Sequence, residues 1–452
     1  MKKKLTVQEY VVVASMLFGL FFGAGNLIFP VHMGQMAGSQ LLPATLGFLI
    51  TGVGLPLLSV AALGISKSEG LFDLSRKVSR PYAYFFTCLL YLTIGPFFAI
   101  PRCATTAFTV GIEQAVPQAA EQLRLWLLVF SAVFFAAALL FSLFPGKILT
   151  WVGKILNPFF LLFLGILIIV ALVKPSAAIS AVAPEGAYAS QAFSTGFLEG
   201  YNTMDVLAGL AFGIIVVQVI RELGVTDADA VASSTVKAGV FSSLLMALIY
   251  LAVTVVGAQS RGLFATSENG GIALAQIARH YLGSAGLVIL AATVTLACLK
   301  TSVGLITSCA ETFCGMFPKG PGYRAWAVLF TLISFALSNF GLSTIISYSV
   351  PVLMFLYPLA IALVLLALFG RFYRHNRAVY ISVIVCTLLA ALYDLICALP
   401  EGLYDALHAD AVQAFGLRVL PFAGAGLGWI CPLALGFVIG LAVHLMQKFR
   451  TK

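Results

Sequence analysis

The sequence predicts an all-α polytopic membrane protein with twelve transmembrane helices. Of its 452 residues, 61% are hydrophobic and 10% are charged, whereas a soluble protein has roughly 45–50% apolar and about 25% charged residues. Apolar runs of about 20 residues recur along the chain, while an outer-membrane barrel would show alternating segments of about ten. This composition excludes a soluble enzyme, and the length of the runs predicts helices as the spanning elements.

Twelve apolar runs, separated by polar or Gly/Pro-containing segments, are the predicted spans. They cover residues 9–37, 41–65, 82–112, 123–143, 148–173, 191–220, 238–257, 284–316, 325–340, 343–369, 378–399 and 424–447. The third and eighth runs exceed the length needed to cross a bilayer, so we expect them to tilt or to extend beyond it. The segments 175–190, 258–283 and 400–423 are long enough for short interfacial helices.

The basic residues predict the orientation of the chain. When the spans alternate from a cytoplasmic N-terminus, most of the 26 Lys and Arg residues fall on the cytoplasmic side, as the positive-inside rule requires. This distribution accounts for the net charge of +9 without a nucleic-acid partner. The N-terminal lysines and the run after them are similar to a signal peptide, but no A-x-A-like cleavage site follows, so we expect a retained first span.

The eight cysteines predict no disulfide framework and no metal site. Most lie inside apolar runs, and the sequence contains no CxxC pair. We expect them to act as small buried packing residues.

The first predicted span contains a pattern that favours a broken helix. Two glycines flank an alanine at Gly23-Ala24-Gly25, the amide of Asn26 follows at once, and Pro30 comes one turn later. Unwinding here would free carbonyl groups to bind a cation, and the next half-helix would begin with exposed N–H groups. The alternative is that the two glycines only form a small-residue packing face.

The sixth predicted span contains a run of polar side chains where a membrane helix should be apolar. These residues are Glu199, Tyr201, Asn202, Thr203 and Asp205. Carboxylates inside a membrane usually face a cavity or a partner. Inverted-repeat transporters pair a broken helix in one half with another at the matching position of the second half. Spans one and six are five apart, which inverts the second half, so the two breaks together predict a binding site near the membrane midplane.

The eighth predicted span carries oxygen groups that suit a small cation. Thr301 and Ser302 are adjacent hydroxyls, and the carbonyl of Cys298 lies about one turn earlier on nearly the same face. Such groups can bind Na⁺, although Ser and Thr in membrane helices often bond back to their own backbone.

The third predicted span contains a charge near membrane depth. Pro96 and Pro101 interrupt or kink this span, and Arg102 follows them. We expect Arg102 to form a structural ion pair, with a gating role as the alternative. The acids that could pair with it are Glu199, Asp205 and Glu311.

These segments resemble the bacterial branched-chain amino acid transport system II carrier family, whose members are cation-coupled symporters for leucine, isoleucine and valine. The resemblance covers essentially the whole chain. Its most specific stretches are residues 22–30, 95–102, 201–213 and 298–306.

The resemblance implies a LeuT-type fold with two five-helix inverted repeats and two additional helices. Residues 1–173 would form the first repeat, 191–369 the second, and 378–452 the last two helices with a cytoplasmic C-terminus. It also implies a bacterial cytoplasmic membrane as the location.

The resemblance further implies where an amino acid and Na⁺ bind. The sodium ligands would be Gly19 and Phe22 through their carbonyls, with Cys298, Thr301 and Ser302 from the eighth helix. The residues expected to bind substrate are Gly23, Ala24, Gly25, Asn26, Tyr201, Asn202, Thr203 and Asp205. The substrate carboxylate would meet the N–H groups at Gly23 to Asn26, its ammonium would meet Tyr201 to Asp205, and Tyr201 is a candidate lid.

One residue departs from the family pattern. Position 300 is uncharged in the family, but this sequence has Lys300 directly before the expected sodium ligands. Our preferred interpretation is that its side chain points to an acid or reaches toward the interface. The alternative is that the ammonium replaces or repels the cation, which makes proton coupling or uncoupled transport the competing hypothesis.

The sequence therefore predicts a symporter that imports branched-chain amino acids together with Na⁺ by alternating access, with no catalytic residues. The substrate and the lipid bilayer are the expected partners, with no nucleic acid and no obligate protein partner. The alternatives are a proton-coupled or cation-independent carrier of another neutral amino acid, a membrane enzyme and a channel. The five histidines are scattered, which disfavours the enzyme.

Overall fold

The structure is a computed structural model that describes residues 4–66, 68, 70–113, 116, 119–143 and 157–450. These residues form helices and no strand. The helices of the first half are α1 (Val7–Phe21), α2 (Ala24–Ala37), α3 (Leu41–Leu49), α4 (Leu55–Ser66), α5 (Leu71–Arg76), α6 (Arg80–Leu92), α7 (Ala99–Gly111), α8 (Ala120–Leu143) and α9 (Asn157–Val173). Those of the second half are α10 (Tyr188–Glu199), α11 (Asp205–Glu222), α12 (Ala228–Ser260), α13 (Gly270–Met316), α14 (Tyr323–Ser338), α15 (Leu342–Phe369), α16 (Arg377–Cys397), α17 (Glu401–Ala406), α18 (Ala409–Val419) and α19 (Ile430–Arg450).

Helices lie at all twelve predicted spans, although the first residues of the predicted span 148–173 are outside the described part of the chain. Among the described residues, eight helical runs are long and apolar enough to cross a membrane, and three shorter apolar helices accompany them. The count of twelve spans therefore stays a prediction. The predicted interfacial segments contain a 3₁₀ turn at Ile179–Ala181, the start of α13, and α17 with α18.

The outer helices carry apolar side chains on their exposed faces. On α8, Leu128 is 44% exposed, Val133 is 67% exposed and Leu140 is 56% exposed. Water would disfavour such a surface, whereas lipid chains do not. The exposed surface therefore has the character of a membrane-facing one.

The first span is broken between α1 and α2, as its glycines predicted. Helix α1 ends at Phe21, and Phe22 and Gly23 leave the helical conformation with φ/ψ of −73°/93° and −118°/−162°. Helix α2 then begins at Ala24 and is buried along almost its whole length. Pro30 lies inside α2 without ending it.

The sixth span is also broken, between α10 and α11. A 3₁₀ turn, Gly200–Thr203, follows α10, and Met204 adopts a left-handed conformation with φ of 62° before α11 begins at Asp205. This conformation is uncommon for a residue with a side chain. Both breaks predicted from the sequence are therefore present at the predicted residues.

The third span changes direction between α6 and α7. A π-helical turn, Thr93–Phe97, joins them, and Gly95 has non-helical φ/ψ of −94°/−122° immediately before Pro96. Helix α7 then passes through the centre of the molecule, where every one of its residues is buried. This route places Arg102 in the interior.

Helix α2 packs backbone to backbone against α12. A Cβ added at Gly34 would lie 2.1 Å from the carbonyl oxygen of Thr254, and one added at Gly257 would lie 2.2 Å from the carbonyl oxygen of Val31. Only glycine permits this approach. The second half of the first span is therefore fixed against α12, with the break at Gly23 at its inner end.

Candidate functional site

A cavity lies where the two broken helices meet. The space between its wall atoms, including its opening to solvent, is about 400 Å³. Its walls come from both breaks and from α7, the π-helical turn and α13. The lining residues are Leu20, Phe21, Gly23, Ala24, Gly25, Asn26, Ile94, Ala99, Arg102, Cys103, Thr203, Met204, Asp205, Ala208, Phe212, Thr301 and Leu305.

The side chain of Asn26 connects the two breaks. Its Oδ1 accepts a hydrogen bond of 2.8 Å from the backbone N–H of Gly23, which caps the start of α2. Its Nδ2 donates to Oδ2 of Asp205 at 2.6 Å and also to the hydroxyl of Tyr250. Because the group of Gly23 that faces Asn26 is its N–H, Oδ1 must lie toward it, and the amide nitrogen consequently faces the carboxylate.

Asp205 is the acid of the cavity, with 1% of its surface exposed. Besides the amide of Asn26, its Oδ2 accepts a hydrogen bond of 3.1 Å from the hydroxyl of Tyr250. Asp205 is the first residue of α11, where a negative charge is favoured by the helix dipole. The carboxylate is therefore held in place while the cavity remains accessible beside it.

Arg102 is the positively charged residue of the cavity wall, with 3% of its surface exposed. Its Nη1 donates a 2.7 Å hydrogen bond to the carbonyl oxygen of Asn202, and its Cζ lies 5.1 Å from the centre of the Phe29 ring. Within the described residues, Arg102 forms no ion pair with any acid. The expected structural ion pair is therefore not formed, because the unwound sixth span offers a backbone carbonyl in its place.

The predicted cation ligands of the eighth span lie in α13 beside the first break. A Cβ added at Gly23 would lie 3.4 Å from Oγ1 of Thr301, which also donates back to the carbonyl of Ala297 at 3.1 Å. Ser302 is fully buried beside the thiol of Cys103, and its hydroxyl makes no well-formed hydrogen bond with the described residues. Cys298 is buried and contacts Cys103 of α7.

The end of α1 leaves a carbonyl group without its helical donor. The N–H of Phe22 donates to Phe18 at 2.7 Å, but the N–H of Gly23 turns to Asn26. The carbonyl of Gly19 thereby loses the donor four residues ahead that a continuous helix would supply. Neutral oxygens of this kind, like the hydroxyls of Thr301 and Ser302, are groups that can bind a monovalent cation.

The remaining predicted residues lie outside the cavity wall. Tyr201 is 1% exposed and stacks on Tyr357, with ring centroids 4.0 Å apart, and Asn202 contributes its carbonyl to Arg102. Neither side chain lines the cavity, so the position of Tyr201 is not that of a lid. The other charged candidates, Glu199, Lys300 and Glu311, are also absent from the lining.

The structure adds residues that the sequence did not indicate. Tyr250 of α12 binds both Asn26 and Asp205, and its hydroxyl inside the apolar span 238–257 was the available signal. The apolar lining residues Ile94, Ala208 and Phe212 carried no distinguishing signal, because their residue types are common throughout the spans.

The chain is similar to curated transporters over its whole length. A sequence profile described as "Branched-chain amino acid transport protein" matches residues 6–447. The branched-chain amino acid permease BrnQ of Lactobacillus delbrueckii subsp. lactis is 53% identical over 450 residues, covering 100% of both chains. BrnQ of Bacillus subtilis (strain 168) is 39% identical over 453 residues, again covering 100% of both.

The fold is similar to that of Mhp1 in its inward-facing conformation. The TM-score is 0.63 at 15% sequence identity, and the match covers 98% of this chain and 91% of Mhp1. Mhp1 has the LeuT fold, so the predicted all-α LeuT-type fold is confirmed.

The relatives are permeases, and this protein is a multi-pass membrane transporter rather than an enzyme. The chain belongs to the branched-chain amino acid transport protein family.

Proposed function

We propose that this protein imports leucine, isoleucine and valine across the bacterial cytoplasmic membrane, coupled to Na⁺. The observation that carries the proposal is the cavity at the two helix breaks, whose wall includes charged and backbone polar groups as well as apolar side chains. An amino acid with an aliphatic side chain has the same two kinds of group. The names of the relatives support the choice of branched-chain substrates.

The polar wall suits the two charges of a zwitterion. The first N–H groups of α2, at Ala24 and Gly25, have no carbonyl four residues earlier in the same helix and attract a carboxylate. Asp205, on the other broken helix, has the charge that attracts an ammonium. The proposal therefore orients the amino acid between the two breaks.

The apolar wall explains why one site would accept three substrates. It is formed by the side chains of Leu20, Ile94, Ala208, Phe212 and Leu305. A difference of one methylene group in such a pocket changes binding by only about 1–3 kcal/mol. Leucine and isoleucine are isomers and would bind with similar affinities, whereas valine, one methylene smaller, would bind more weakly by roughly 10- to 200-fold. Larger polar side chains would be disfavoured.

The proposed sodium site consists of Gly19 and Phe22 on α1, with Cys298, Thr301 and Ser302 on α13. It is supported by the buried hydroxyl of Ser302, by the free carbonyl end of α1, and by the position of Thr301 beside Gly23. A bound Na⁺ would supply one positive charge that holds α1 and α13 together. The ion would thereby favour the arrangement in which the cavity is complete.

Alternating access would follow from rocking of the helix bundle that contains the two broken helices. The two inverted repeats of this proposal are residues 1–173 and 191–369, with 378–452 outside them. Each repeat contributes one broken helix to the cavity. Rocking around a fixed midplane site is the usual mechanism of such folds. The distribution of the basic residues supports cytoplasmic termini in this proposal.

A proton-coupled carrier is the second candidate, and Asp205 favours it. This carboxylate is buried in the cavity and binds the amide of Asn26 and the hydroxyl of Tyr250. A carboxylate inside a transporter can take up and release a proton as access alternates. The distinction between the two candidates is the ion that drives uptake.

The test is uptake of radiolabelled leucine by proteoliposomes containing the purified protein. An inward Na⁺ gradient should drive saturable accumulation, and replacing Na⁺ with K⁺ should abolish it, whether or not a pH gradient is imposed. Accumulation driven by a pH gradient without Na⁺ would establish proton coupling instead. Uptake that does not saturate with leucine would refute the carrier.

The Ser302→Ala variant tests the cation site directly. Hydrogen bonds and ligand contacts to charged groups contribute about 1.5–3 kcal/mol, so the Na⁺ concentration for half-maximal uptake should rise by roughly tenfold or more. Ser338→Ala is the matched control, because Ser338 is also a buried serine, and its hydroxyl donates at 2.7 Å to the carbonyl of Phe335 in its own helix, α14. Lys300→Thr tests whether the ammonium replaces or repels the cation. If the Lys300 side chain points away from the site, the Na⁺ concentration for half-maximal uptake should be the same in this variant as in the wild type.

A further inference from the structure

The guanidinium of Arg102 is fixed at the cavity wall, and part of it is still available for binding. One nitrogen, Nη1, donates to the carbonyl of Asn202, and the group lies over the ring of Phe29. The Nε atom is buried without a hydrogen-bond partner among the described residues. A guanidinium has five N–H donors, so Nη2 remains as a donor for a ligand.

Arg102 also lies against the start of α2. A Cβ added at Gly25 would be only 2.9 Å from Nη2 of Arg102, which shows how closely the guanidinium approaches the second residue of the helix. The N-terminus of a helix carries about half a positive charge. Two positive groups therefore face the same space, and the mutual repulsion would be relieved by an anion bound between them.

The acid of the cavity does not supply that anion. Asp205 is held by Asn26 and Tyr250 through Oδ2, and no ion pair joins it to Arg102 within the described residues. The cavity therefore has separate fixed charges of opposite sign, one on α7 and one on α11. That arrangement complements a zwitterion, whose carboxylate and ammonium are likewise separate.

We propose that Arg102 binds the carboxylate of the transported amino acid and makes that carboxylate a requirement for recognition. This inference rests on the proposed function, because it assigns a role at the same cavity. The guanidinium and the N–H groups at the start of α2 would bind the carboxylate together, while Asp205 faces the ammonium. Arg102 would thus allow the site to distinguish an amino acid from an amine that has the same side chain but no carboxylate.

The test compares ligands that differ only in the carboxylate. Leucine, leucinamide and leucinol compete with radiolabelled leucine for uptake into proteoliposomes of the wild type and of Arg102→Gln. Wild type should strongly prefer leucine to both analogues. Since a hydrogen bond to a charged group contributes about 1.5–3 kcal/mol, that preference should fall by roughly 10- to 100-fold in Arg102→Gln, mainly because leucine binds less tightly.

A purely structural role would give a different result. If Arg102 only supports the sixth span through Asn202, Arg102→Gln should weaken leucine and leucinamide equally, and an unchanged preference would overturn the proposal. Arg279→Gln, at an exposed arginine of α13, is the matched control and should keep the wild-type preference. Failure of the wild type to transport branched-chain amino acids would refute the proposed function instead.

A second variant keeps the inference testable if Arg102→Gln does not fold. Gly25→Ala keeps the arginine at position 102 but adds a Cβ only 2.9 Å from its Nη2, so the guanidinium has to shift. The preference for leucine over leucinamide should again fall. An unchanged preference in folded Gly25→Ala would contradict the assignment.

Discussion

The hydrogen bonds of Asn26 are the most informative target, because one side chain connects both helix breaks. Asn26→Ala removes the acceptor for the N–H of Gly23 and the donor to Asp205 and Tyr250. A buried polar group left without a partner costs about 1–3 kcal/mol, and three groups are affected. Water entering the cavity would replace part of these bonds, so we expect a loss of about 2–4 kcal/mol in the free energy of unfolding.

Asn26→Asp tests the orientation of the amide as well as its presence. The aspartate keeps an acceptor for Gly23, but it places a second carboxylate 2.6 Å from Oδ2 of Asp205. Two negative charges at this separation would repel each other by about 6 kcal/mol at an effective dielectric constant of about 20. The pair therefore has to hold a proton, so this variant should transport at low pH and lose activity as the pH rises.

The assays are thermal unfolding in detergent and leucine uptake between pH 5 and 8, in the wild type and both Asn26 variants. Asn339→Ala is the matched control, since Asn339 makes a single bond to Phe335 near the end of α14 and its loss should cost about 1 kcal/mol. A pH profile of Asn26→Asp identical to the wild type would refute the assigned orientation. Unchanged stability and uptake in Asn26→Ala would refute the connecting role.

Three further perturbations test the surroundings of the site. Gly257→Val would place side-chain atoms against the backbone of Val31, so the yield of monodisperse protein and its melting temperature should fall sharply; a normal melting temperature would contradict the close packing. Tyr250→Phe keeps the ring and removes one hydroxyl, so the KM for leucine should rise roughly 5- to 10-fold through the loss of about 1 kcal/mol, whereas an unchanged KM would exclude the hydroxyl from the site. Arg261 and Glu185 form a partly exposed ion pair of 2.7 Å, and a double-mutant cycle with glutamine at both should give a coupling of at most about 1 kcal/mol in stability; zero coupling at low salt would show that the pair does not form.

The two helix breaks could be predicted because their signals are local. At Gly23 and Gly25 the small residues are followed directly by an amide, and at residues 199–205 polar groups interrupt an apolar run. Each pattern fixes where a membrane helix cannot continue, and the structure places the interruptions at Phe22–Gly23 and at Gly200–Met204. The fold class follows from the same information, because the lengths of the apolar runs define the helices.

The direction in which individual side chains point could not be predicted in the same way. Tyr201 and Tyr250 are both tyrosines inside predicted spans, yet Tyr250 binds at the site and Tyr201 packs against Tyr357. Tyr201 lies in the 3₁₀ turn before the left-handed Met204, where the period of an α-helix no longer gives the direction of a side chain. Tyr250 lies in a regular helix, but its partners are far away in sequence.

The partner of Arg102 shows what a count of charged side chains leaves out. The sequence offers acids as partners, but the break in the sixth span creates two additional charged ends within a few residues. The carbonyl of Asn202 belongs to the negative end of the 3₁₀ turn and binds Arg102, while the positive end of α11 begins at Asp205. Each buried charge is thus stabilised by an opposite helix end, so the two do not have to neutralise each other, and both remain available to a zwitterionic ligand.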